Sequence, residues 1–352
     1  MFDPTPILSG NRRALARLLT QIENATPEAQ AALAALFPHT GRAHYVGVTG
    51  APGTGKSSLV NELAKILRHT GRTVAIVAVD PSSPFTGGAI LGDRIRMRDL
   101  AGDPGVFIRS MASRGSLGGL ARATSDVVKA LDAAGFEMIL IETVGAGQSE
   151  VEIARAAHTT LVVEAPGLGD DVQAIKAGLL EVADIFALNK ADQPGVENAL
   201  RALRASLDLA HPAAHHWLAD SLLAHPANVQ SLASEVSDFG PSPEASDSSV
   251  RLWSPPIIQT VAVQGQGLAE LVAAIDQHRA YLQTSGELER RERDRLAHEL
   301  ELRLRDALLA GLLAHLGNGQ LHAALDQIFA RTLDPASAAQ QLADQAGVRV
   351  ER

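Results

Sequence analysis

Through the middle of this 352-residue chain, short aliphatic and β-branched runs alternate with segments of helical period. The runs at 45–49, 73–79, 106–109, 138–142, 160–164, 185–188 and 257–263 predict strands, and several are almost uninterrupted by polar residues, as in strands buried on both faces. Strands of that kind, separated by helices, predict a largely parallel sheet covered by helices. Before them, Leu15, Leu18, Leu19 and Ile22 fall on one face of a helix, and a second helix is expected over 27–37. Residues 234–256 are rich in Ser, Pro and Asp and predict a surface loop. Beyond 285 comes the charged run Glu287-Leu288-Glu289-Arg290-Arg291-Glu292-Arg293-Asp294-Arg295, then Leu300, Leu304, Leu308 and Leu312 at every fourth residue. A leucine stripe outside the sheet needs a surface to cover it, and a helical arm pairing with a second subunit is expected. Three parts follow: a helical extension (1–42), an α/β domain (43–284) and a helical arm (285–352).

Composition narrows the chemistry. The net charge is −9 and the isoelectric point about 5.7, so no bulk attraction to nucleic acid or an anionic membrane is expected. There is no cysteine, which removes disulfides, thiolate metal sites and cysteine nucleophiles. With no basic-then-apolar leader and no span-length apolar stretch, a cytoplasmic protein is expected.

Directly after the strand at 45–49 stands Gly50-Ala51-Pro52-Gly53-Thr54-Gly55-Lys56-Ser57, followed by Ser58 and a helical pattern. This is G-x-x-x-x-G-K-[ST], in which glycines let backbone N–H groups converge on phosphate oxygens at a helix N-terminus. Lys56 is placed to reach the outer phosphates and the Ser57 hydroxyl to ligate Mg²⁺. Asn189-Lys190-Ala191-Asp192 follows the strand at 185–188. A carboxylate at Asp192 can accept from both N1–H and the 2-amino group of guanine, whereas adenine offers neither donor. Taken alone, the four residues also suit a helix cap. A further base contact is expected from backbone amides of Val261, Ala262 and Val263.

The strand at 138–142 ends in Glu142-Thr143-Val144-Gly145, where a carboxylate can hold a Mg²⁺ ligand or orient water and a Gly145 amide can meet the γ-phosphate. Residues 144–150 then act as a switch. Asp80 and Asp93 are the other metal candidates, and spacing leaves both Glu142 and Asp93 open as the catalytic carboxylate beside Lys56. No pattern singles out an arginine finger among Arg94, Arg96, Arg98, Arg109, Arg114 and Arg122.

Taken in order, these stretches resemble the MeaB/ArgK family of GTPases, which extends to the human methylmalonic aciduria type A protein. The resemblance covers about 10–282. It is carried by Asn11-Arg12-Arg13-Ala14-Leu15-Ala16-Arg17, the glycine-rich loop, Asp80-Pro81-Ser82-Ser83-Pro84, Gly87-Gly88-Ala89-Ile90-Leu91-Gly92-Asp93-Arg94, Glu142-Thr143-Val144-Gly145-Ala146-Gly147-Gln148-Ser149-Glu150 and Asn189-Lys190-Ala191-Asp192. It implies a SIMIBI-type P-loop NTPase with a dimerisation arm. It also implies a homodimeric G protein that binds GTP, GDP and Mg²⁺, docks on an adenosylcobalamin-dependent acyl-CoA mutase, and gates cofactor loading, protection and reactivation. Partner-signalling residues in such a protein map to Gln148 and to a third loop carrying Asp170, Gln173 and Lys176; Ala165-Pro166-Gly167-Leu168 departs from the usual pattern there. Two rivals remain. A metallochaperone GTPase shares the fold, but here only His211, His215 and His216, with Asp208 and Asp220, come near a cluster. A P-loop kinase or ATPase is disfavoured by Asn189-Lys190-Ala191-Asp192.

Overall fold

The computed structural model describes residues 2–80, 98–100, 102–112, 117–143, 149–167, 177–210 and 252–347. Strands β1 (His44–Thr49), β2 (Val74–Asp80), β3 (Val106–Ala112), β4 (Met138–Thr143), β5 (Thr159–Glu164), β6 (Ile185–Leu188) and β7 (Ile257–Gln259) form one sheet in the order β3-β2-β4-β1-β5-β6-β7. Each pairing along it is parallel. The predicted strands are all present, with one correction. The run at 257–263 stops at Gln259, because Val261 bridges to Gln266 instead of to β6 and Ala262–Gln264 closes a 3₁₀ turn ending on left-handed Gly265.

Helices cover both faces: α1 (Thr5–Leu8), α2 (Arg12–Glu23), α3 (Pro27–Leu36), α4 (Lys56–His69), α5 (Leu117–Ala133), α6 (Ser149–Ala156), α7 (Ala177–Val182), α8 (Val196–Ala210) and α9 (Leu268–Ser285). Alternation along the strands sorts the core into two layers. Tyr45, Ala75, Val77, Ile139 and Ile141 pack with α2, α3 and α5, while Val46, Val48, Val74, Ile76 and Leu140 pack with α4 and α9. The Asn11 carboxamide caps α2 by accepting from the Arg13 and Ala14 amides, and the Thr26 hydroxyl caps α3 ahead of Pro27. Phe37, expected in that helix, falls in the 3₁₀ turn Phe37–His39 that ends it. The extension also guards the edge strand β3. Arg12 donates to the Pro104 and Val106 carbonyls, and Arg109 pairs with Glu23 at 2.6 Å. Arg109 is thereby committed to structure rather than to the phosphates.

The chain divides into two compact units, Met1–Arg295 and Leu296–Arg352. Residues from α10 (Glu287–His315), α11 (Asn318–Phe329) and α12 (Pro335–Gln345) make up the second. On α10, Leu300, Leu304, Leu308, Leu309 and Leu313 are all exposed in the single chain. No described helix is long and apolar enough to cross a membrane.

At the N-terminal ends of the strands lies a buried polar layer. His44 and His278 both bond the Thr159 hydroxyl at 2.8 Å, Asp184 holds Arg291 at 2.8 Å, and His158 bonds Glu292. Burial, helped by neighbouring His158 and Arg279, holds the His44 imidazole down at about 2. Burial likewise lowers His158, against the opposing pull of Glu292. Burial alone would raise the carboxylates, but Arg291 and His278 hold Asp184 well below the usual range, and His158 and Arg295 hold Glu292 at about 2.

These groups set an acid limit. A histidine lowered in the folded state binds fewer protons than in the unfolded chain, so stability rises with pH up to the unfolded value of 6.5. A carboxylate lowered in the folded state contributes stability above its unfolded value and loses it as pH falls towards the folded one. Both terms act in the same direction. The melting temperature is expected to be flat above about pH 7.5 and to fall steadily from pH 6.5 to 4. Thermal unfolding across that interval checks this, and an unchanged melting temperature would contradict it.

Candidate active site

The glycine-rich loop leaves the end of β1 and enters α4, as its sequence context predicts. Gly50, Gly53 and Gly55 have φ of 139°, 86° and 94°, values that L side chains rarely adopt. A Cβ on Gly50 would lie 2.1 Å from the Val163 carbonyl oxygen of β5, and one on Gly55 would lie 2.5 Å from Asn189 Nδ2. Both glycines are therefore required by conformation and by space. Gly55→Ala is expected to weaken guanine-nucleotide binding at least about 100-fold, because it strains the loop and displaces Asn189 together. Titration with a fluorescent GDP analogue checks this.

Lys56 is buried and folds back over the loop, donating to the Gly50 carbonyl at 2.7 Å and the Ala51 carbonyl at 3.0 Å. Thr54 closes the turn, its hydroxyl donating to the Ala51 carbonyl at 2.9 Å. The Ser57 hydroxyl donates to Glu142 Oε1, and Glu142 is 1% exposed at the end of β4. Beside it, the Thr143 hydroxyl meets that of Thr49 at 3.3 Å. The sheet order explains the meeting, since β4 is the neighbour of β1 and both end at the helix N-terminus. Two hard oxygen groups thus stand where α4 presents its first amide groups, an arrangement suited to a magnesium-bound phosphate.

The Asn189 loop closes on the other side. Asn189 is buried; its Nδ2 donates to the Thr54 carbonyl at 2.8 Å, and its Oδ1 accepts from the Thr260 hydroxyl at 3.2 Å and the Ala262 amide at 3.1 Å. Lys190 takes a left-handed φ of 56°, and the Ala191 amide donates to the Thr260 carbonyl at 3.0 Å. Asp192 is exposed. Val261 and Ala262 are buried beside the loop, whereas Val263 is 79% exposed. Thr260 joins all these parts, yet nothing in the sequence marked it. Its one available signal was its position just before Val261-Ala262, where a hydroxyl can satisfy the carboxamide that the P-loop leaves half-bonded.

Not every expected residue can be placed. The backbone of Asp80 ends β2. Asp93, Gly145, Gln148, Asp170, Gln173 and Lys176, with His211, His215, His216 and Asp220, lie outside the described residues. Among the described residues, no cluster of three or more His, Asp or Glu side chains could hold a metal.

The sequence profile of the family described as methylmalonyl-CoA mutase-associated GTPase MeaB matches residues 15–316. The chain belongs to this family. A probable GTPase of Mycobacterium tuberculosis is 39% identical to this MeaB-family protein over 346 residues, covering 96% of this chain and 92% of the relative. The mitochondrial methylmalonic aciduria type A homolog of Caenorhabditis elegans is 33% identical over 231 residues, covering 58% of each. A crystal structure of an LAO/AO transport system kinase superposes with a TM-score of 0.65 at 26% identity, covering 97% of this chain and 95% of that one. This MeaB-family chain is a P-loop GTPase, in agreement with the reading of the two motifs.

Proposed function

We propose that this GTPase serves as a chaperone for an adenosylcobalamin-dependent acyl-CoA mutase, methylmalonyl-CoA mutase or a close relative, and that its nucleotide times cofactor loading, protection and reactivation of that enzyme. The observation that carries the reading is the family match over 15–316, whose description names the mutase, together with the likeness to a methylmalonic aciduria type A homolog.

The residues fit such a timer. The first α4 amides and Lys56 cradle the phosphates, and Lys56 exchanges its loop carbonyls for phosphate oxygens. Mg²⁺ would be held by Ser57, with Glu142 and either Asp80 or Asp93 as further candidate ligands, and would supply charge neutralisation on the phosphates. Glu142, buried against Ser57, would orient the attacking water. Asp192 and Asn189 read guanine with the backbone at Val261–Val263. Gly145, Gln148, Asp170, Gln173 and Lys176 carry the signal to the mutase. The exposed leucines of α10 suit pairing with a second copy of this chain.

The partnership is tested by mixing the full chain with purified mutase holding adenosylcobalamin and measuring complex formation by analytical ultracentrifugation. Association with an affinity that differs about tenfold between GDP and a non-hydrolysable GTP analogue is expected. No association with either nucleotide would remove the mutase from the proposal.

A further inference from the structure

Three strands carry the site at one end and share a buried polar layer at the other. β1 runs from His44 to the glycine-rich loop, β5 from Thr159 to Glu164, and β6 from Ile185 to Leu188, directly before Asn189. At the site end the strands are pinned to one another. The Asn189 amide donates to the Glu164 carbonyl at 2.7 Å, Asn189 Nδ2 holds the loop at Thr54, and Gly50 is pressed against β5. A shift of the loop on nucleotide exchange must therefore be shared by all three strands.

At the far end the bonds are directional. The Thr159 hydroxyl has one proton to give, so at most one of His44 Nε2 and His278 Nδ1 can accept from it. His278 Nε2 stands 3.3 Å from Asp184 Oδ1, which favours a proton there. His44 then donates to Thr159, and Thr159 to His278. In parallel, the Tyr45 amide donates to His158 Nδ1 at 3.1 Å, which leaves His158 Nε2–H to donate to Glu292. Arg291 closes the layer with two bonds to Asp184, at 2.8 and 2.9 Å, and one to the His158 carbonyl at 2.8 Å. Asp184 Oδ2 also accepts the Thr160 amide at 2.8 Å. Arg291 and Glu292 thus grip the starts of β5 and β6 from the first turns of α10.

We propose that residues 287–295 report the nucleotide state. β1 and β5, of six residues, span about 20 Å and β6, of four, about 13 Å, and a relative displacement of about 1 Å would carry bonds of 2.8 Å beyond hydrogen-bond distance. The root of α10 is therefore a place, remote from the phosphates, where GTP and GDP are distinguished. The role is distinct from that of the switch loops, and it holds whichever protein the GTPase serves.

Hydrogen–deuterium exchange of the full chain tests this, with GDP and with a non-hydrolysable GTP analogue. Peptides covering 287–295 are expected to differ at least about threefold in exchange rate between the two states. In Arg291→Gln that difference should collapse while GDP affinity stays within about threefold of the parent. Because Arg291→Gln leaves the Asp184 carboxylate buried without its main partner, the double variant Asp184→Asn with Arg291→Gln removes both charges and should give the same collapse. Equal exchange in the two states of the parent protein, or a full difference retained in the double variant, would overturn the proposal.

Discussion

Lys56→Ala is expected to lower GTP turnover by at least about 10³-fold. The ammonium lies buried across the mouth of the loop, held by the Gly50 and Ala51 carbonyls. On the proposed reading, those two acceptors keep the charge in place until phosphate oxygens replace them. The charge is therefore preorganised where negative charge builds up on the transferred phosphoryl group, and its removal leaves neutral loop amides to stabilise it alone. The folded domain should survive, because the lysine's carbonyl partners belong to the glycine-rich loop rather than to the hydrophobic core. Phosphate release under saturating GTP, with circular dichroism as the control for folding, checks the prediction. Turnover within tenfold of the parent would mean that the cradle lies elsewhere.

Asp192→Asn is expected to weaken GTP binding by about 2 kcal/mol or more, some 30-fold, and to shift preference towards xanthosine nucleotides. The side chain is exposed beside a rigid support. Lys190 is fixed in a left-handed turn, Ala191 is bonded to Thr260, and Asn189 ties the loop to Thr54. A carboxylate on that support accepts two guanine donors. A carboxamide accepts only one and offers its own N–H to the carbonyl that xanthine carries in place of the 2-amino group. Competition titrations with GTP, ATP and XTP decide the matter: an unchanged order of affinities in the variant would show that Asp192 does not read the base.

The fold was legible where the physics is local. β1, β4, β5 and β6 are apolar because the parallel sheet covers them on both faces, and their runs matched the ladder to within a residue. The error at 257–263 has a physical origin. Val261 and Ala262 are buried, but against the Asn189 loop rather than in the sheet, and a run of apolar residues does not distinguish those fates. The glycine-rich loop was legible because positive φ and close backbone approach leave few residue choices. Thr260 was not, since one buried hydroxyl has no pattern. The polar layer under the sheet was hidden for a related reason. His44, His158, Asp184 and Arg291 are far apart in sequence and become a group only when the strand order β1-β5-β6 brings their elements together. In the charged run 287–295, whose sequence shows only alternating charge, Arg291 and Arg295 are mostly buried within the first unit.

The proposed service to a mutase is tested most directly by single-turnover GTP hydrolysis with and without a purified adenosylcobalamin-dependent acyl-CoA mutase. A saturable rise of about tenfold or more in the hydrolysis rate, absent in Lys56→Ala, is the expected result. A rate independent of mutase concentration up to tens of micromolar, for methylmalonyl-CoA mutase and its close relatives alike, would contradict the proposal.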